Sequence, residues 1–155
     1  MKIEIPNYKT LEIENIVLDF NGTIAKDGKV KQETKELINA LCNEFNIFVI
    51  TADTNNSVKD ELNSLPVTII ILKSDNHTKE KMEFVKKVDC NKTIAIGNGA
   101  NDELMLKTAT IGICLLGNEG CATKTCLASD ILCKNIHEAL ELFLYPKRLI
   151  ATLRI

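Results

Sequence analysis

The stretch TIAIGNGAND, residues 93–102, contains an apolar run, then Gly-x-Gly, then an Asn-Asp pair. The apolar run is typical of a strand buried in a parallel sheet, and the polar residues behind it predict the start of a helix. Glycines allow a backbone to approach a phosphate closely, and a carboxylate beyond them suits a metal ion. Asn98, however, stands between the glycines, where a metal site would have a carboxylate. The stretch therefore predicts a site for phosphate and metal. Because of Asn98, the sequence of this stretch leaves open whether that site is fully active, modified or inactive.

Strand and helix patterns alternate along the chain. Alternating apolar and polar residues at 2–5 and 10–13 predict a hairpin at a sheet edge. Continuous apolar runs predict strands at 16–20, 47–51, 67–72, 93–97, 110–116 and 129–133. Helices are predicted at 31–45, 55–64, 76–88, 101–109 and 136–145, followed by a basic and apolar tail. This order predicts an α/β fold of three layers, in which a mainly parallel, Rossmann-like sheet carries helices on both faces and the site lies at the carboxyl ends of the strands.

Composition narrows the class of protein. The 155 residues match one domain, and we expect a single domain over residues 1–155. A formal net charge of −2 offers no basic surplus for binding nucleic acid or an anionic membrane. The N-terminus is too polar for a signal peptide, and no apolar run reaches membrane-spanning length. The six cysteines form no Cys-x-x-Cys pair, so we expect reduced thiols in a cytoplasmic protein.

Polar residues follow three of the predicted strands directly. Each group on its own has an ordinary explanation, since turns, helix caps and solvated helix faces use the same residues. Parallel strands bring their carboxyl ends to one edge of a sheet, so the groups are expected to meet in one crevice. The three groups are Asp19-Phe20-Asn21-Gly22-Thr23, Thr51-Ala52-Asp53 and Asn98-Gly99-Ala100-Asn101-Asp102. A turn that carries Lys79 and Lys81 is expected to reach the same crevice.

Four motifs in this order resemble the haloacid dehalogenase-like (HAD) superfamily. They are DFNGT at 19–23, TAD at 51–53, KMEFVKK at 81–87 and GNGAND at 97–102. The resemblance covers residues 15–133, and it is closest to the phosphorylation domain of P-type ATPases and to small soluble proteins related to it. It implies a Mg²⁺-dependent phosphohydrolase, a phosphatase with at most weak ATPase activity, that acts through an aspartyl-phosphate.

The resemblance also implies a role for each site residue. Asp19 would be the nucleophile, and the metal ligands would be Asp19, the carbonyl of Asn21, Asn98 and Asp102. Lys81 is favoured over Lys79 as the motif lysine because KMEFVKK aligns better with the motif of the superfamily. The catalytic set is then Asp19, Asn21, Thr51 and Lys81, and the phosphate-binding set is Phe20, Asn21, Gly22, Thr51, Ala52, Lys81 and Asn101.

Two residues depart from the pattern of the superfamily. Most of its phosphatases have a second Asp where this chain has Asn21, and that Asp protonates the leaving oxygen and activates water. Asn21 can do neither, and such acid–base assistance typically contributes ~10²–10⁴-fold to the rate. Asn98 can still offer an amide oxygen to Mg²⁺, but without a charge. We therefore expect a slow enzyme; the alternatives are a degenerate module that binds phosphate or protein, and a regulatory subunit that docks through residues 144–155.

The spacing of the motifs excludes an inserted cap domain. Between Thr23 and Thr51 there is room for one flap and one helix, and between Thr51 and Lys81 for one helix and one strand. The crevice should therefore be open to a phosphorylated small molecule or a phosphorylated protein. We expect a homo-oligomer, a dimer or a tetramer, to cover it, with contacts from the tail and from residues 2–13.

Overall fold

The computed structural model describes residues 1–53 and 57–155, with only the backbone at Ser57. Ten strands lie in this part of the chain. They are β1 Lys2–Ile5, β2 Lys9–Glu12, β3 Asn15–Asp19, β4 Ala25–Lys26, β5 Lys29–Val30, β6 Asn46–Thr51, β7 Thr68–Ile71, β8 Thr93–Gly97, β9 Ile111–Leu115 and β10 Ile131–Cys133. Six of them form one parallel sheet in the order β10-β9-β8-β3-β6-β7.

Seven α-helices lie in the same part of the chain. They are α1 Gln32–Leu41, α2 Ser57–Leu62, α3 His77–Lys87, α4 Glu103–Thr108, α5 Thr123–Leu127, α6 Ile136–Leu144 and α7 Pro146–Leu153, with short 3-10 turns at Cys90–Lys92 and Ala100–Asp102. None of these helices combines the length and apolar character that a membrane span requires.

The helices cover the two faces of the parallel sheet. Successive residues of a strand point to opposite faces, and in β3 Ile16 and Leu18 belong to one apolar cluster while Val17 belongs to the other. The first cluster includes residues of α1, α2, α6 and α7, and the second includes residues of α3 and α4. Because both faces of β3 are covered, all five of its residues are buried. The predicted three-layer α/β fold is confirmed.

The predicted elements are present with small shifts at their ends. Helix α2 begins at Ser57, and the predicted start at residue 55 lies outside the described residues. The tail, predicted only as basic and apolar, forms helix α7, which buries Leu149 against the core. Pro146 stands in the first turn of this helix, where a missing amide hydrogen is tolerated.

The N-terminal hairpin is confirmed, but its backbone does not extend the parallel sheet. Strands β1 and β2 pair with each other in a separate two-stranded sheet, with Asn7 at a positive φ of 57° in the turn. Apolar side chains on one face of the hairpin, Ile3, Ile5 and Leu11, pack into the core cluster that includes α7. Burial of this face therefore places the hairpin beside the core, while β7 and β10 form the edges of the main sheet.

The sheet order explains how the motifs meet. Strands β8, β3 and β6 are direct neighbours, with Leu18 in register with Ile96 and Asp19 with Ile50. Their carboxyl ends therefore bring Asp19, Thr51 and Asn98 to one edge. The described residues between Thr23 and Lys81 form the β4–β5 flap, α1, β6, α2, β7 and part of α3. No cap domain is present in these described intervals.

Candidate active site

Asp19 is the last residue of β3, the strand at the centre of the site. Only 8% of its surface is exposed. One carboxylate oxygen, Oδ1, accepts a hydrogen bond from Lys81 Nζ at 2.6 Å, and Oδ2 accepts one from Thr23 Oγ1 at 3.2 Å. The carboxylate is therefore held in one orientation at the end of the strand, as a nucleophile must be.

Lys81 lies in the middle of the site. Helix α3 buries Lys81 together with Val85 one turn later, so the lysine lies on the face of the helix that packs on the protein. Its Nζ donates to Asp19 Oδ1 and to Asp102 Oδ1, both at 2.6 Å. Lys79 is exposed and its amide donates to the Asn76 cap. Of the two lysines considered from the sequence, the structure brings Lys81 to Asp19.

Asp102 organises the loop after β8. It is completely buried, and its Oδ2 accepts the backbone amides of Asn98 at 3.0 Å and Gly99 at 2.9 Å. The side chain packs so closely on Gly97 that a Cβ there would lie 2.5 Å from Asp102 Cγ, which explains the first glycine of GNG. Both oxygens of Asp102 are thus bound within the protein, and a direct contact with a metal ion stays a prediction.

Asn98 connects residues 20–24, which follow the predicted nucleophile Asp19 and are called the nucleophile loop, to a second loop, residues 116–122. Its Oδ1 accepts from Thr23 Oγ1 at 3.3 Å, and its Nδ2 donates to the carbonyl of Gly120 at 3.0 Å. The backbone carbonyl of Asn98 accepts from the amide of Ala122 at 3.0 Å. The amide side chain can make both contacts because it carries a donor as well as an acceptor, which a carboxylate does not.

The buried charges do not cancel. Burial and the negative charge of Asp102 raise the pKa of Asp19 to about 6, although Lys81 and Thr23 act in the opposite direction. Burial alone would lower the pKa of Lys81, but the charges of Asp19 and Asp102 outweigh burial and raise it. One cation therefore faces two carboxylates, so the site has an excess of negative charge when both are ionised.

This charge excess and the oxygen donors fit a divalent cation. Asp19 and Asn98 Oδ1 offer the hard oxygen atoms that Mg²⁺ prefers, and the backbone carbonyl of Asn21 stays a predicted third ligand. The described residues contain no group of three or more His, Cys, Asp or Glu side chains placed to hold a metal ion. Mg²⁺ commonly keeps several waters and uses only one or two carboxylates, so the residues present fit this ion.

The predicted phosphate-binding residues differ in burial and in whether their polar groups are already bonded within the protein. Thr51 is buried at the end of β6, and its Oγ1 accepts from the amide of Asp53 at 3.1 Å. The amide of Gly22 donates to the carbonyl of Ala25 at 2.9 Å, so it would have to leave that bond to contact a phosphate. The side chain of Phe20 is fully buried in the core, which leaves only its backbone for binding. Ala52 is exposed and Asn101 is half-buried.

The structure adds residues that the site prediction did not include. Thr23 bridges Asp19 and Asn98 through its hydroxyl. Glu119 lies next to Gly22, since a Cβ on Gly22 would be 2.9 Å from Glu119 Oε2. The sequence signal for the second loop is GNEG at 117–120, a glycine-rich turn directly after an apolar strand. Spacing along the chain does not reveal that this turn folds back onto residue 22.

A relative in sequence comes from Methanocaldococcus jannaschii. The chain is 55% identical over 74 residues to the uncharacterized protein MJ0073, which covers 47% of this chain and 80% of that protein. It is also 51% identical over 49 residues to the human phospholipid-transporting ATPase ID, which covers 32% of this chain and 4% of the ATPase. The similarity to the P-type ATPase is thus confined to a short segment. No protein-family model matches the chain.

Solved phosphatases share the fold. The 3-deoxy-D-manno-octulosonate 8-phosphate phosphatase from Moraxella catarrhalis, in complex with magnesium, phosphate and the sugar acid, superposes with a TM-score of 0.72 at 19% identity over 92% of this chain and 94% of that chain. The cobalt-bound deoxy-D-mannose-octulosonate 8-phosphate phosphatase from Haemophilus influenzae gives 0.72 at 11% identity over 86% and 88%. The HAD-like fold predicted from the four motifs is therefore confirmed.

Proposed function

Because the chain belongs to the family of MJ0073 and has the HAD-like fold, we propose that it is a divalent-metal-dependent phosphohydrolase that acts through an aspartyl-phosphate on Asp19. One observation carries the proposal. The Asp19 carboxylate, at the end of the central strand, is held 2.6 Å from a fully buried lysine that is anchored from its other side by Asp102. Any buried lysine needs a partner for its charge, but one carboxylate would neutralise Lys81, and the second one, Asp19, adds a negative charge that a purely structural pair would not require.

The first step of the reaction is attack by Asp19. A carboxylate oxygen of Asp19 forms a bond to phosphorus while the bond from phosphorus to the leaving oxygen breaks. Lys81 neutralises negative charge that moves onto the phosphoryl oxygens during transfer. Because Asn21 has no proton to give, the leaving oxygen takes its proton from water. Thr23 keeps the attacking carboxylate in position through its bond to Oδ2.

The second step releases phosphate. Water attacks phosphorus and gives up one proton to the surrounding water, while the bond between phosphorus and the Asp19 oxygen breaks, which restores the carboxylate. Asn21 cannot accept a proton from this water, so the step proceeds without the assistance that a carboxylate would give, typically ~10²–10⁴-fold. We therefore expect slow turnover and a phosphoenzyme of long life.

A divalent ion fits beside Asp19. Asp19, the carbonyl of Asn21 and Asn98 Oδ1 would hold it, with Asp102 supporting the loop. When bound, it would neutralise the charge of the phosphoryl group and the excess charge of the site. Two solved phosphatases of this fold contain magnesium and cobalt, which supports a divalent metal, and we propose Mg²⁺ for this chain.

The substrate is proposed to be a phosphorylated small molecule. A cavity of about 310 Å³ opens beside the nucleophile loop, between Gly22, Glu119, His137 and the β4–β5 flap. A cavity of this size suits a metabolite-sized leaving group. Two of the fold neighbours are named for a sugar-acid phosphate and another is named for phosphoserine, which supports a phosphorylated small molecule as the class. A phosphorylated protein is the second class of substrate that the open crevice allows.

Further proposals concern the chain as a whole. The described residues pack around one six-stranded parallel sheet, with the two small hairpins beside it, so we propose that residues 1–155 form one capless domain. All six cysteines carry free thiols, which is compatible with the reducing cytoplasm that we propose as its location.

Hydrolysis of p-nitrophenyl phosphate tests the proposed function. We expect slow release of nitrophenol that requires added Mg²⁺, and a phosphoenzyme that hydroxylamine cleaves. Asp19→Asn should abolish both, whereas Asp75→Asn, a change at an exposed aspartate, should preserve both. Activity of Asp19→Asn within about threefold of wild type would refute the mechanism, since loss of a covalent nucleophile should cost orders of magnitude.

One observation favours a second candidate, a module that binds phosphate without turning it over. Both atoms of the Asn98 amide are occupied by Thr23 and Gly120, so residue 98 already serves as a connection between loops. This candidate predicts that wild-type protein binds inorganic phosphate, measured by titration calorimetry, while it forms no phosphoenzyme and releases no nitrophenol.

A further inference from the structure

The loop of residues 116–122 closes over one side of the candidate active site. Gly120 and Ala122 both hydrogen-bond to Asn98, through the carbonyl of Gly120 and the amide of Ala122. The same loop reaches the nucleophile loop, because a Cβ on Gly117 would lie 3.4 Å from the carbonyl oxygen of Gly22. The loop is therefore placed by contacts to two of the site's own segments.

Glu119, in this loop, is an acidic residue that lies beside Gly22 at the candidate active site. A Cβ on Gly22 would lie 2.9 Å from Glu119 Oε2 and also 2.9 Å from Asn98 Oδ1. The Glu119 carboxylate and the Asn98 amide therefore border the same small space. Gly22 leaves that space open, because it has no side chain and has a φ of 81°, which favours glycine.

The Glu119 carboxylate is available for a ligand. Among residues 1–53 and 57–155, none forms a hydrogen bond or an ion pair with it. Asp102, by contrast, has both oxygens bound by Lys81 and by the amides of residues 98 and 99. Without Glu119, the ligands proposed for the cation include only one carboxylate, that of Asp19, beside the neutral amide of Asn98.

We propose that Glu119 supplies the carboxylate that position 98 lacks, and that it binds the divalent cation with Asp19 and Asn98, either directly or through a bound water. The proposal rests on the cation site of the proposed function. It explains how a chain with Asn98 can keep a charged metal site: the negative charge comes from the loop after β9 instead of the loop after β8. Because Glu119 supplies the charge, position 98 can carry a neutral amide, whose nitrogen bonds to Gly120 while its oxygen stays beside the cation site.

Titration calorimetry of metal-free protein with MgCl₂ tests the role of Glu119. Glu119→Gln keeps the shape of the side chain and removes its charge, and we expect a 10- to 100-fold higher Kd for Mg²⁺, as for supporting ligands in other metal sites. The melting temperature without metal should not change, because Glu119 is exposed and unpaired in the described structure. Glu44→Gln, at another exposed glutamate, should leave the Kd unchanged.

A second variant tests the link to position 98. Asn98→Asp should restore Mg²⁺ affinity in the Glu119→Gln background, because it returns a carboxylate to the same space, and the two changes should not be additive. A Glu119→Gln Kd within twofold of wild type would overturn the proposal, as would a double variant that binds no better than Glu119→Gln.

The test separates this proposal from the proposed function. Binding is measured without substrate, so a wild type that binds Mg²⁺ through Glu119 but forms no phosphoenzyme would refute the catalytic mechanism alone. Normal turnover together with an unchanged Kd in Glu119→Gln would refute the role of Glu119 alone. A wild type that binds no Mg²⁺ would overturn the Glu119 proposal as well as the metal site.

Discussion

Removing the charge of the proposed nucleophile should stabilise the metal-free protein. Asp19 is nearly buried and lies near a second buried carboxylate, Asp102, and the two share one lysine. Asp19→Asn keeps the shape of the side chain and leaves Lys81 paired with Asp102. We therefore expect the variant to have a higher free energy of unfolding than the wild type at neutral pH, in the manner of other functional sites that lower stability.

The raised pKa of Asp19 sets the size and the sign of the effect. The pKa is about 6 in the folded protein against an ordinary value of 3.8. The folded state therefore binds more protons than the unfolded chain between these values, so stability decreases as the pH rises through this interval. Above roughly pH 7, the free energy of unfolding of Asp19→Asn should exceed that of the wild type by about 3 kcal/mol, and near pH 4 this difference should be small.

Thermal and urea unfolding in EDTA at several pH values would measure the effect. The wild type and Asp19→Asn should have similar stabilities at about pH 4. As the pH rises, the variant should become more stable than the wild type, and the difference should stop growing above the pKa of Asp19 in the folded protein. For a chain of this size, about 3 kcal/mol corresponds to a melting temperature higher by roughly 6–12 °C. Added Mg²⁺ should stabilise the wild type more than the variant, because Asp19 is a proposed ligand.

Asp102→Asn is the matched control at the same lysine. Its carboxylate accepts two backbone amides as well as Lys81, so the substitution leaves buried donors unpaired and should destabilise by about 1–3 kcal/mol. The two substitutions, on opposite sides of Lys81, should thus change the free energy of unfolding in opposite directions. If Asp19→Asn destabilises the metal-free protein at pH 7, or if its effect does not depend on pH, the charge argument is wrong.

Three other expectations follow from the sequence and the structure. Asn21→Asp should raise kcat for p-nitrophenyl phosphate with little change in KM and only with Mg²⁺, with ~10²–10⁴-fold as the ceiling; unchanged or lower turnover at saturating Mg²⁺ would show that hydrolysis is limited elsewhere. Gly97→Ala should lower the free energy of unfolding by at least about 1–3 kcal/mol in urea titrations, because its Cβ would meet Asp102 at 2.5 Å; full stability would mean that the loop shifts without cost. Sedimentation velocity should detect a dimer or a tetramer that covers the crevice, and a strict monomer at high concentration would reject this assembly.

Several features of the protein could be predicted from the sequence because they depend on local patterns. Strands covered on both faces are mainly apolar, so the runs at 16–20 and 93–97 could be recognised as buried strands. Alternation at 2–5 and 10–13 marks a hairpin with one buried face. Polar residues directly after buried strands identify candidate site residues, since parallel strands end at one edge.

Other features depend on contacts between segments that are distant in the chain. Residue 119 lies far from residue 22 in sequence, and only the return of the loop after β9 brings its carboxylate to the site. The placement of the hairpin in its own sheet follows from burial of its apolar face against α7 and the core, which alternation does not specify. The KMEFVKK motif already favoured Lys81 over Lys79, and the orientation of α3, which buries position 81 and exposes position 79, gives the physical reason. The sequence therefore determined the elements and most of the site's residue types, whereas the packing of the elements decided which charges meet. Hydrogen bonds require a separation of about 3 Å, and charges in water are screened beyond roughly 10 Å, so both depend on which segments the fold brings together.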